Sequence, residues 1–488
     1  MTERPHPHTP SLPGCPAVPP TLTRRPRVCR ITWQPLARVC VLASMLLGEE
    51  PLLNLAVGHP STSLLPHAVL AGACEAAGAR LRTGSFQLGY GRTSGEAPVT
   101  EALACWLTAH APGEAPVRHD RLFITSGVSH GLDLVCACLS RPGDLVLLTT
   151  PCYFLSVGIF TSHGLRLQSV ASDHNGLDVA ALTALLQSGV RPRLLYLCPS
   201  HANPSACTLP AASRAALVGL AREYVFFVLA DEVYHHLSWD AALPPRMRHW
   251  DLLGCSNIDY GVFDGDVSPL AVATSVEGNT LVPDKGWNVV ALSSFSKILA
   301  PGLRLGWIEA GAPVLSALAK RAVLISGGGV APFSSLVVLE AMRTGGLDAH
   351  LGMLLSTYKR RCATLCAALR SEQATTGWEV QRQPTGGYFV WLRTPQDVPA
   401  QALVEAAAQR GVTVLDGARC CAAALPQSQA ALELGSVADV RHRVRLCFAH
   451  LEERELQEGV RRLAHAVEDV RRLAIPSSQD KSSIYLSI

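Results

Sequence analysis

The chain has 488 residues and a formal net charge of +3, with 48% hydrophobic and 17% charged residues. This composition is ordinary for a folded protein with a large core, and it excludes a wholly disordered chain. The charge is too balanced for a body that binds nucleic acid. At roughly 100–200 residues per domain, the length predicts two to four structural units.

The first 48 residues differ from the rest of the chain. They hold six arginines, no lysine, one acidic residue and nine of the 33 prolines. Prolines at this spacing oppose a continuous helix and contribute little to a core. We therefore expect residues 1–48 to form a disordered basic extension. Because organelle transit peptides are also basic, the expected cytoplasmic location has a mitochondrial alternative.

Two further features exclude other classes of protein. The apolar stretch Val39–Leu47 is too short to span a bilayer, which needs about 20 residues, so no membrane contact is expected. The 16 cysteines lie mostly in apolar runs, and the sequence contains neither CxxC pairs nor zinc-type Cys/His spacing. We expect reduced core cysteines and no metal site.

From residue 121, short β-branched runs alternate with helical stretches. Strands are predicted at Arg121–Thr125, Leu145–Thr149, Leu165–Val170, Arg193–Leu197, Val225–Leu229, Asn288–Leu292 and Leu303–Ile308. Helices are predicted between several of them, for example at Val128–Leu139 and Pro210–Arg222. Continuous apolar strands separated by helices favour an α/β fold, in which helices cover both faces of a mostly parallel sheet. Ligands bind such sheets at the carboxyl ends of the strands.

After about residue 331 the pattern changes to a smaller α+β unit. Its predicted elements are a helical region over 334–370 interrupted near Gly345-Gly346, a strand at Gly387–Leu392, a helix at Ala400–Arg410, a strand at Arg443–Phe448 and an amphipathic helix at Glu452–Arg472. The predicted domains are a small one of residues 49–84 and 331–474, and a large one of residues 85–330. A tail, 475–488, follows.

The most informative stretch, residues 293–306, reads SSFSKILAPGLRLG. Lys297 follows a predicted strand beside Ser294 and Ser296, and Arg304 opens the next predicted strand. A cofactor that carries an aldehyde and a phosphate needs this arrangement. The lysine amine can form an imine with the aldehyde, while hydroxyls and a guanidinium hold the phosphate dianion. A surface lysine in a serine-rich turn is the alternative interpretation.

Two other strand ends carry candidate residues. Asp231 ends a strongly apolar strand, where an isolated acid would be costly to bury without a partner. Gly127, Val128 and Ser129 join a predicted strand to a predicted helix. Backbone N–H groups at such a helix start favour a phosphate, and Ser129 could add a hydroxyl.

These motifs, in this order, resemble the class I/II aminotransferases of the aspartate-aminotransferase superfamily, which are pyridoxal-phosphate enzymes of fold type I. The resemblance covers roughly residues 50–473 and is strongest to the branch containing 2-aminoadipate and kynurenine aminotransferases. It implies pyridoxal 5′-phosphate as the cofactor of a three-layer α/β/α large domain. It also implies ping-pong transfer of an amino group between an L-α-amino acid and a 2-oxo acid.

The resemblance assigns roles residue by residue. Lys297 would hold the cofactor and act as general base, and Asp231 would pair with the protonated pyridine nitrogen. Tyr234 would hydrogen-bond the cofactor's phenolic oxygen, and Tyr153 would stack on the ring. Asn203 would reach the phenolic oxygen and often the substrate carboxylate.

Other roles concern the substrate and a second subunit. Arg445 would bind the substrate α-carboxylate, with Arg443 on the same strand face as the alternative. Gly58 would let backbone approach the substrate closely. Tyr90 resembles the tyrosine that reaches the neighbouring subunit's phosphate, which implies a homodimer. The small residues of 326–330 are expected near the site, where they could admit a bulky substrate side chain.

The alternative function is a C–S (β-)lyase or an aminocyclopropane-carboxylate-synthase-like enzyme, because these share the Lys, Asp and Tyr positions. A non-catalytic regulator usually carries a winged helix in front of this fold, and residues 1–48 contain no plausible one. Lys297 follows Tyr234 by 63 positions, more than this branch usually has. We interpret the extra sequence near 240–284 as a surface insertion.

Overall fold

A computed structural model describes residues 52–240, 243–253, 287–421 and 440–474, and the backbone of 276–277 and 280–281. The predicted extension 1–48, most of the predicted insertion near 240–284 and the tail 475–488 lie outside the described residues.

The described elements alternate along most of the chain. The strands are β1 (Leu53–Asn54), β2 (Leu122–Thr125), β3 (Leu145–Thr150), β4 (Arg166–Asp173), β5 (Gly176–Leu177), β6 (Leu194–Leu197), β7 (Phe227–Asp231), β8 (Val276–Glu277), β9 (Thr280–Leu281), β10 (Val289–Ser294), β11 (Gly306–Glu309), β12 (Glu379–Val380), β13 (Phe389–Arg393), β14 (Val412–Thr413), β15 (Leu415–Asp416) and β16 (Arg443–Cys447). The helices are α1 (His67–Thr83), α2 (Ala97–Ala109), α3 (Val128–Leu139), α4 (Phe154–Ser162), α5 (Val179–Gln187), α6 (Ala211–Glu223), α7 (Met247–Leu253), α8 (Ala312–Ala319), α9 (Ala322–Gly327), α10 (Pro332–Arg343), α11 (Gly346–Ser371), α12 (Gln373–Thr376), α13 (Ala400–Gln409) and α14 (Glu453–Ala474).

Eight strands form the central sheet in the order β2-β11-β10-β7-β6-β3-β4-β5. The strands from β10 to β4 in this order are parallel, whereas β11 runs antiparallel to both of its neighbours. Every residue of β2, β6, β7, β10 and β11 is buried. Strands of this kind require cover on both faces, and the predicted α/β fold with a mostly parallel sheet is confirmed.

The two faces of the sheet bury different side chains of the same strand. Phe227 and Leu229 of β7 belong to one hydrophobic cluster, which includes residues of α3 and α8. Val228 and Ala230 belong to another, which includes residues of α5 and α6. Since successive strand residues point to opposite faces, this alternation gives a layer of helices on each side of the sheet.

A second sheet is antiparallel and has the order β12-β13-β16-β15. Helices α11 and α13 both pack on α14 in this part of the chain. Strand β1 pairs in parallel with β14, which joins the start of the described chain to its C-terminal part. The domain boundaries after residues 84 and 330 stay predictions. Within the described ranges, no helix combines the length and the apolar character that crossing a membrane requires.

Two predicted strands begin later than the sequence indicated. The strand predicted at Val225–Leu229 is β7, Phe227–Asp231, because Val225 takes a left-handed φ of 56° in the turn after α6. The strand predicted from Leu303 begins at Gly306, because Pro301–Leu303 form a 3₁₀ turn. Arg304 therefore lies before the strand, with a φ of 47°.

Candidate active site

The candidate site lies where the neighbouring strands β7 and β10 end. Asp231 is the last residue of β7, and Lys297 follows β10 in the turn after Ser294. The Lys297 ammonium donates a hydrogen bond to the Gly58 carbonyl oxygen at 2.7 Å. Burial lowers the pKa of Lys297 to about 8. The lowered pKa leaves more neutral amine near neutral pH than an ordinary lysine has, which suits a nucleophile or a general base.

Asp231 is held by a tyrosine that the sequence analysis did not single out. The Tyr196 hydroxyl on β6 donates to Asp231 Oδ2 at 2.7 Å, and the Val233 N–H donates to Oδ1 at 3.5 Å. Burial raises the pKa of Asp231 to about 6, while the Tyr196 hydrogen bond acts in the opposite direction. The available sequence signal was a phenol in the aliphatic run LLYL, since a buried Tyr hydroxyl usually needs a partner.

Arg445 enters the site from the middle of β16. Its Nη1 donates to Asn203 Oδ1 at 2.8 Å, and its Nη2 donates to the Ala56 carbonyl oxygen at 2.5 Å. The guanidinium lies 4.1 Å from the centroid of the Phe389 ring. A Cβ at Gly58 would lie 3.2 Å from that ring, so a glycine permits this close approach. A planar guanidinium suits a carboxylate, which it can bind through two hydrogen bonds.

The side chain of Arg443, two residues earlier on the same strand, has different contacts. Its Nη1 donates to Gln381 Oε1 at 2.5 Å, and it lines a different cavity with Arg382 and Trp391. The structure therefore brings Arg445, and not Arg443, to the cavity that contains Lys297.

Hydroxyl groups and a second guanidinium lie near the start of α3, where the sequence predicts the phosphate. Ser294 Oγ lies 2.9 Å from Ser296 Oγ, and Arg304 Nη1 lies 3.4 Å from Ser296 Oγ. Arg304 Nη2 donates to the Ser126 carbonyl oxygen at 3.2 Å. A Cβ at Gly127 would lie 2.8 Å from Arg304 Nη2, and Gly127 has a φ of 83°. Both observations favour glycine immediately before α3, whose first-turn N–H groups suit an anion.

These groups surround one cavity of about 280 Å³. Its lining residues are Gly58, His59, Val128, Ser129, Tyr153, Phe154, Leu155, Cys198, Asn203, Asp231, Val233, Tyr234, Ser294, Ser296, Lys297, Pro301, Arg304 and Arg445. All predicted site residues except Gly127 and Tyr90 line it. Several unpredicted lining residues, such as His59 and Phe154, directly follow predicted ones. Burial raises the pKa of Tyr153 to about 12, which keeps its phenol neutral.

Tyr90 does not line this cavity and is 80% exposed. Its carbonyl oxygen accepts a hydrogen bond from the Gly329 N–H at 3.0 Å. A Cβ at Gly328 would lie 1.7 Å from the same oxygen. The glycines expected beside the substrate therefore pack against the segment that carries Tyr90, and residues 326–330 are not among those that line the cavity.

The chain is similar to known enzymes over most of its length. The chain is 28% identical to a 2-aminoadipate transaminase of Thermus thermophilus over 427 residues, 86% of this chain and 91% of that protein. It is 26% identical to aromatic-amino-acid aminotransferase 1 of Thermococcus litoralis over 388 residues, 78% of this chain and 80% of that protein. Both of these relatives are named as enzymes that transfer amino groups.

The solved structures agree with this class. An α-aminoadipate aminotransferase from Thermus thermophilus, complexed with N-(5′-phosphopyridoxyl)-L-leucine, has a TM-score of 0.68 and 27% identity, covering 89% of this chain and 95% of that chain. The fold is thus that of the type I pyridoxal-phosphate enzymes.

The family model for aminotransferase class I and II matches residues 50–463. The chain therefore belongs to the class I and II aminotransferases, and the predicted family is confirmed. It is an enzyme, a pyridoxal-phosphate-dependent transaminase. The relatives described above are named as aminotransferases or transaminases, so transamination is better supported than the lyase and synthase alternatives. In the part of the chain that the structure describes, no group of three or more His, Cys, Asp or Glu side chains could hold a metal ion.

Proposed function

We propose that the chain binds pyridoxal 5′-phosphate in the 280 Å³ cavity and transfers an amino group between an L-α-amino acid and a 2-oxo acid. The observation that carries the proposal is the convergence of Lys297, Asp231 and Arg445 on one cavity. The buried Nε of Arg445 has no hydrogen-bond partner among the described residues. Spare donor capacity of this kind suits the carboxylate of a bound substrate.

Each residue has a distinct task in this proposal. When bound, the cofactor supplies an electron-withdrawing ring that stabilises negative charge at the substrate Cα. The Asp231 carboxylate holds a proton on the ring nitrogen. The Lys297 amine attaches the cofactor and, once displaced, moves a proton from the substrate Cα. Arg445 holds the substrate carboxylate together with Asn203.

The remaining lining residues position the cofactor. Tyr234 donates to the phenolic oxygen, and Tyr153 covers one face of the ring. The phosphate contacts come from the Gly127–Ser129 segment, from the hydroxyls of Ser294 and Ser296, and from Arg304. These contacts follow the general preference of phosphate for helix N-termini, hydroxyls and guanidinium groups.

Replacement of Lys297 tests the proposal. The Lys297→Ala variant should lose the visible absorbance band of the lysine-bound cofactor, and borohydride should no longer fix the cofactor to the chain. Lys320→Ala is the matched control, because Lys320 ends α8 outside the cavity. An unchanged spectrum in Lys297→Ala, or a lost band in the control, contradicts the assignment of Lys297.

The reaction type is tested with the amino donor alone. Transamination should convert the loaded enzyme to its pyridoxamine form and release one oxo acid per site. Release of pyruvate and ammonia together over many turnovers would identify lyase chemistry instead. A panel of alanine, aromatic, branched and 2-aminoadipate donors then defines the substrate.

We further propose a homodimer in which Tyr90 of each protomer contacts the cofactor phosphate of the other. Tyr90 is exposed and does not line the cavity of its own chain, and both observations support this arrangement. Inactive Tyr90→Ala and Lys297→Ala subunits should regain activity when mixed, because one site of the hybrid dimer is intact. Continued inactivity of a mixture that sedimentation shows to contain hybrid dimers contradicts the shared site.

A cytoplasmic location, with mitochondria as the alternative, completes the proposal. The described cysteines are free thiols, which suits a reducing compartment. Fluorescent fusions of the full chain and of residues 49–488 would separate the alternatives. Equal cytoplasmic distribution is expected, whereas mitochondrial signal from the full chain alone would identify a targeting role of residues 1–48.

A further inference from the structure

We propose that Tyr196 is a positioning residue that keeps the Asp231 carboxylate ionised and leaves its Oδ1 atom for the cofactor's ring nitrogen. The inference rests on the proposed function, because Asp231 acts there as the partner of that nitrogen. Tyr196 does not line the cavity and acts only through Asp231.

The geometry of this contact is fixed by the central sheet. Tyr196 lies on β6 and pairs in register with Leu229 of the adjacent strand β7, which ends at Asp231. Tyr196 is 1% exposed and Asp231 is 4% exposed. The Tyr196 ring packs edge-on against Phe160 at 5.5 Å between centroids. Neither side chain therefore depends on a surface loop for its position.

The two carboxylate oxygens of Asp231 have different hydrogen bonds. Oδ2 accepts from the Tyr196 hydroxyl at 2.7 Å, whereas the one donor to Oδ1 among the described residues is the Val233 N–H at 3.5 Å. A tyrosine hydroxyl has one proton to donate, and here it is directed at Oδ2. Oδ1 is thus the oxygen with more remaining capacity to accept a hydrogen bond. The Tyr196 hydrogen bond also fixes the plane of the carboxylate in the absence of a ligand.

The same hydrogen bond favours the charged form of Asp231. Burial alone favours the neutral acid, and a donated hydrogen bond stabilises the carboxylate. The other titratable groups facing Asp231 are Lys297, whose charge also lowers the carboxyl pKa, and the neutral groups Tyr153, Tyr234 and Cys198. Burial and the Asp231 charge raise the pKa of Tyr196 itself well above its usual value, so it remains a donor at working pH.

The test is a titration of Asp231 in the full chain without cofactor. The protein is labelled with ¹³C at aspartate carboxyl carbons, and Asp231→Asn assigns the signal. Tyr196→Phe removes only the oxygen and keeps the ring against Phe160. It should raise the Asp231 pKa by about 1–2 units, which is the effect of one hydrogen bond to a buried charge.

Tyr224→Phe is the control, because Tyr224 lies at the end of α6 outside the cavity, and it should leave the Asp231 pKa unchanged. An equal Asp231 pKa in Tyr196→Phe and the parent chain overturns the proposal. An equal rise in both tyrosine variants also overturns it. Thermal melts of each variant establish that the titrating protein is folded.

A second measurement needs no substitution at Tyr196. With ¹³Cζ-tyrosine in the parent chain, one tyrosine signal should shift together with the ionisation of Asp231, and this shift should vanish in Asp231→Asn. The absence of any coupled tyrosine signal overturns the proposal even where Tyr196→Phe does not fold. Both titrations use protein without cofactor, so their outcome is separate from the Lys297→Ala test of the proposed function.

Discussion

The two sheets supply the cavity in different ways. The central parallel sheet contributes side chains at or just after strand ends, where Asp231 ends β7 and Lys297 follows β10. The antiparallel sheet contributes Arg445 from the middle of β16, between strands β13 and β15. A strand end is marked in the sequence by a change from apolar to polar residues. A site residue in the middle of a strand can be recognised only from its contacts in the structure, which for Arg445 are Asn203 and Ala56.

The largest expected effect is on the central-sheet side. Asp231→Asn keeps the shape of the side chain but removes its charge, which in the proposed function is the anionic partner of the proton on the ring nitrogen. We expect the half-reaction with amino donor to slow by about 10²–10⁴-fold, the range of a lost acid–base contribution. Single-turnover spectroscopy of the cofactor measures this rate. Near-parent rates would show that the proton on the ring nitrogen is held by another group.

The next effect tests the antiparallel-sheet side. In the proposed function Arg445 binds the substrate carboxylate, so we expect kcat/KM for the amino donor to fall by about 10²-fold in Arg445→Ala. The absorbance of the bound cofactor should be retained. Arg443→Ala is the matched control two residues away, and its kcat/KM per folded protein should stay close to the parent value. A larger loss in Arg443→Ala would reverse the two assignments.

Residues at strand ends could be predicted from the sequence, whereas residues that depend on long-range contacts could not. Helix α3 coincides with the helix predicted at Val128–Leu139, and Asp231 and Lys297 were predicted from strand-end motifs. Arg443 and Arg445 could not be separated by alternation alone, because residues two apart share a strand face. Tyr196 was missed because its partner is 35 residues away in sequence. The contact of Gly329 with Tyr90 could not be predicted either, because it is also long-range.

A smaller effect concerns the stability of the cofactor-free protein. Burial lowers the pKa of Lys297 from 10.5 to about 8, so between these pH values the unfolded chain binds more protons than the folded chain. The Lys297 contribution to stability therefore rises with pH across this window and is unfavourable and constant below it. Lys297→Met removes this unfavourable contribution. Because Lys297 is only partly buried, solvent reduces the size of this contribution, and we expect the variant to gain about 2 kcal/mol at pH 7.

Denaturant unfolding of the two cofactor-free proteins at pH 7 and pH 10.5 measures this difference. The gain should shrink at the higher pH, where the parent lysine becomes neutral in both states. A gain that is the same at both pH values would come from packing of the methionine and not from the charge. The difference between the two pH values would give the free energy of unfolding that is lost by burying the Lys297 charge.

The smallest effect is expected at the exposed edge of the cavity. Arg304 is exposed, and its guanidinium contacts Ser296 and the Ser126 carbonyl oxygen, so solvent and salt screen its attraction for a phosphate. We expect Arg304→Gln to weaken cofactor binding by about 3–10-fold at low salt and by less at high salt. Fluorescence titration of the cofactor measures the dissociation constant, with Arg321→Gln as an exposed control outside the cavity. A loss above about 100-fold that does not depend on salt would mean that bound cofactor excludes water from Arg304. In that case Arg304 would be shielded from solvent when the cofactor is bound, as Asp231 already is at the end of β7.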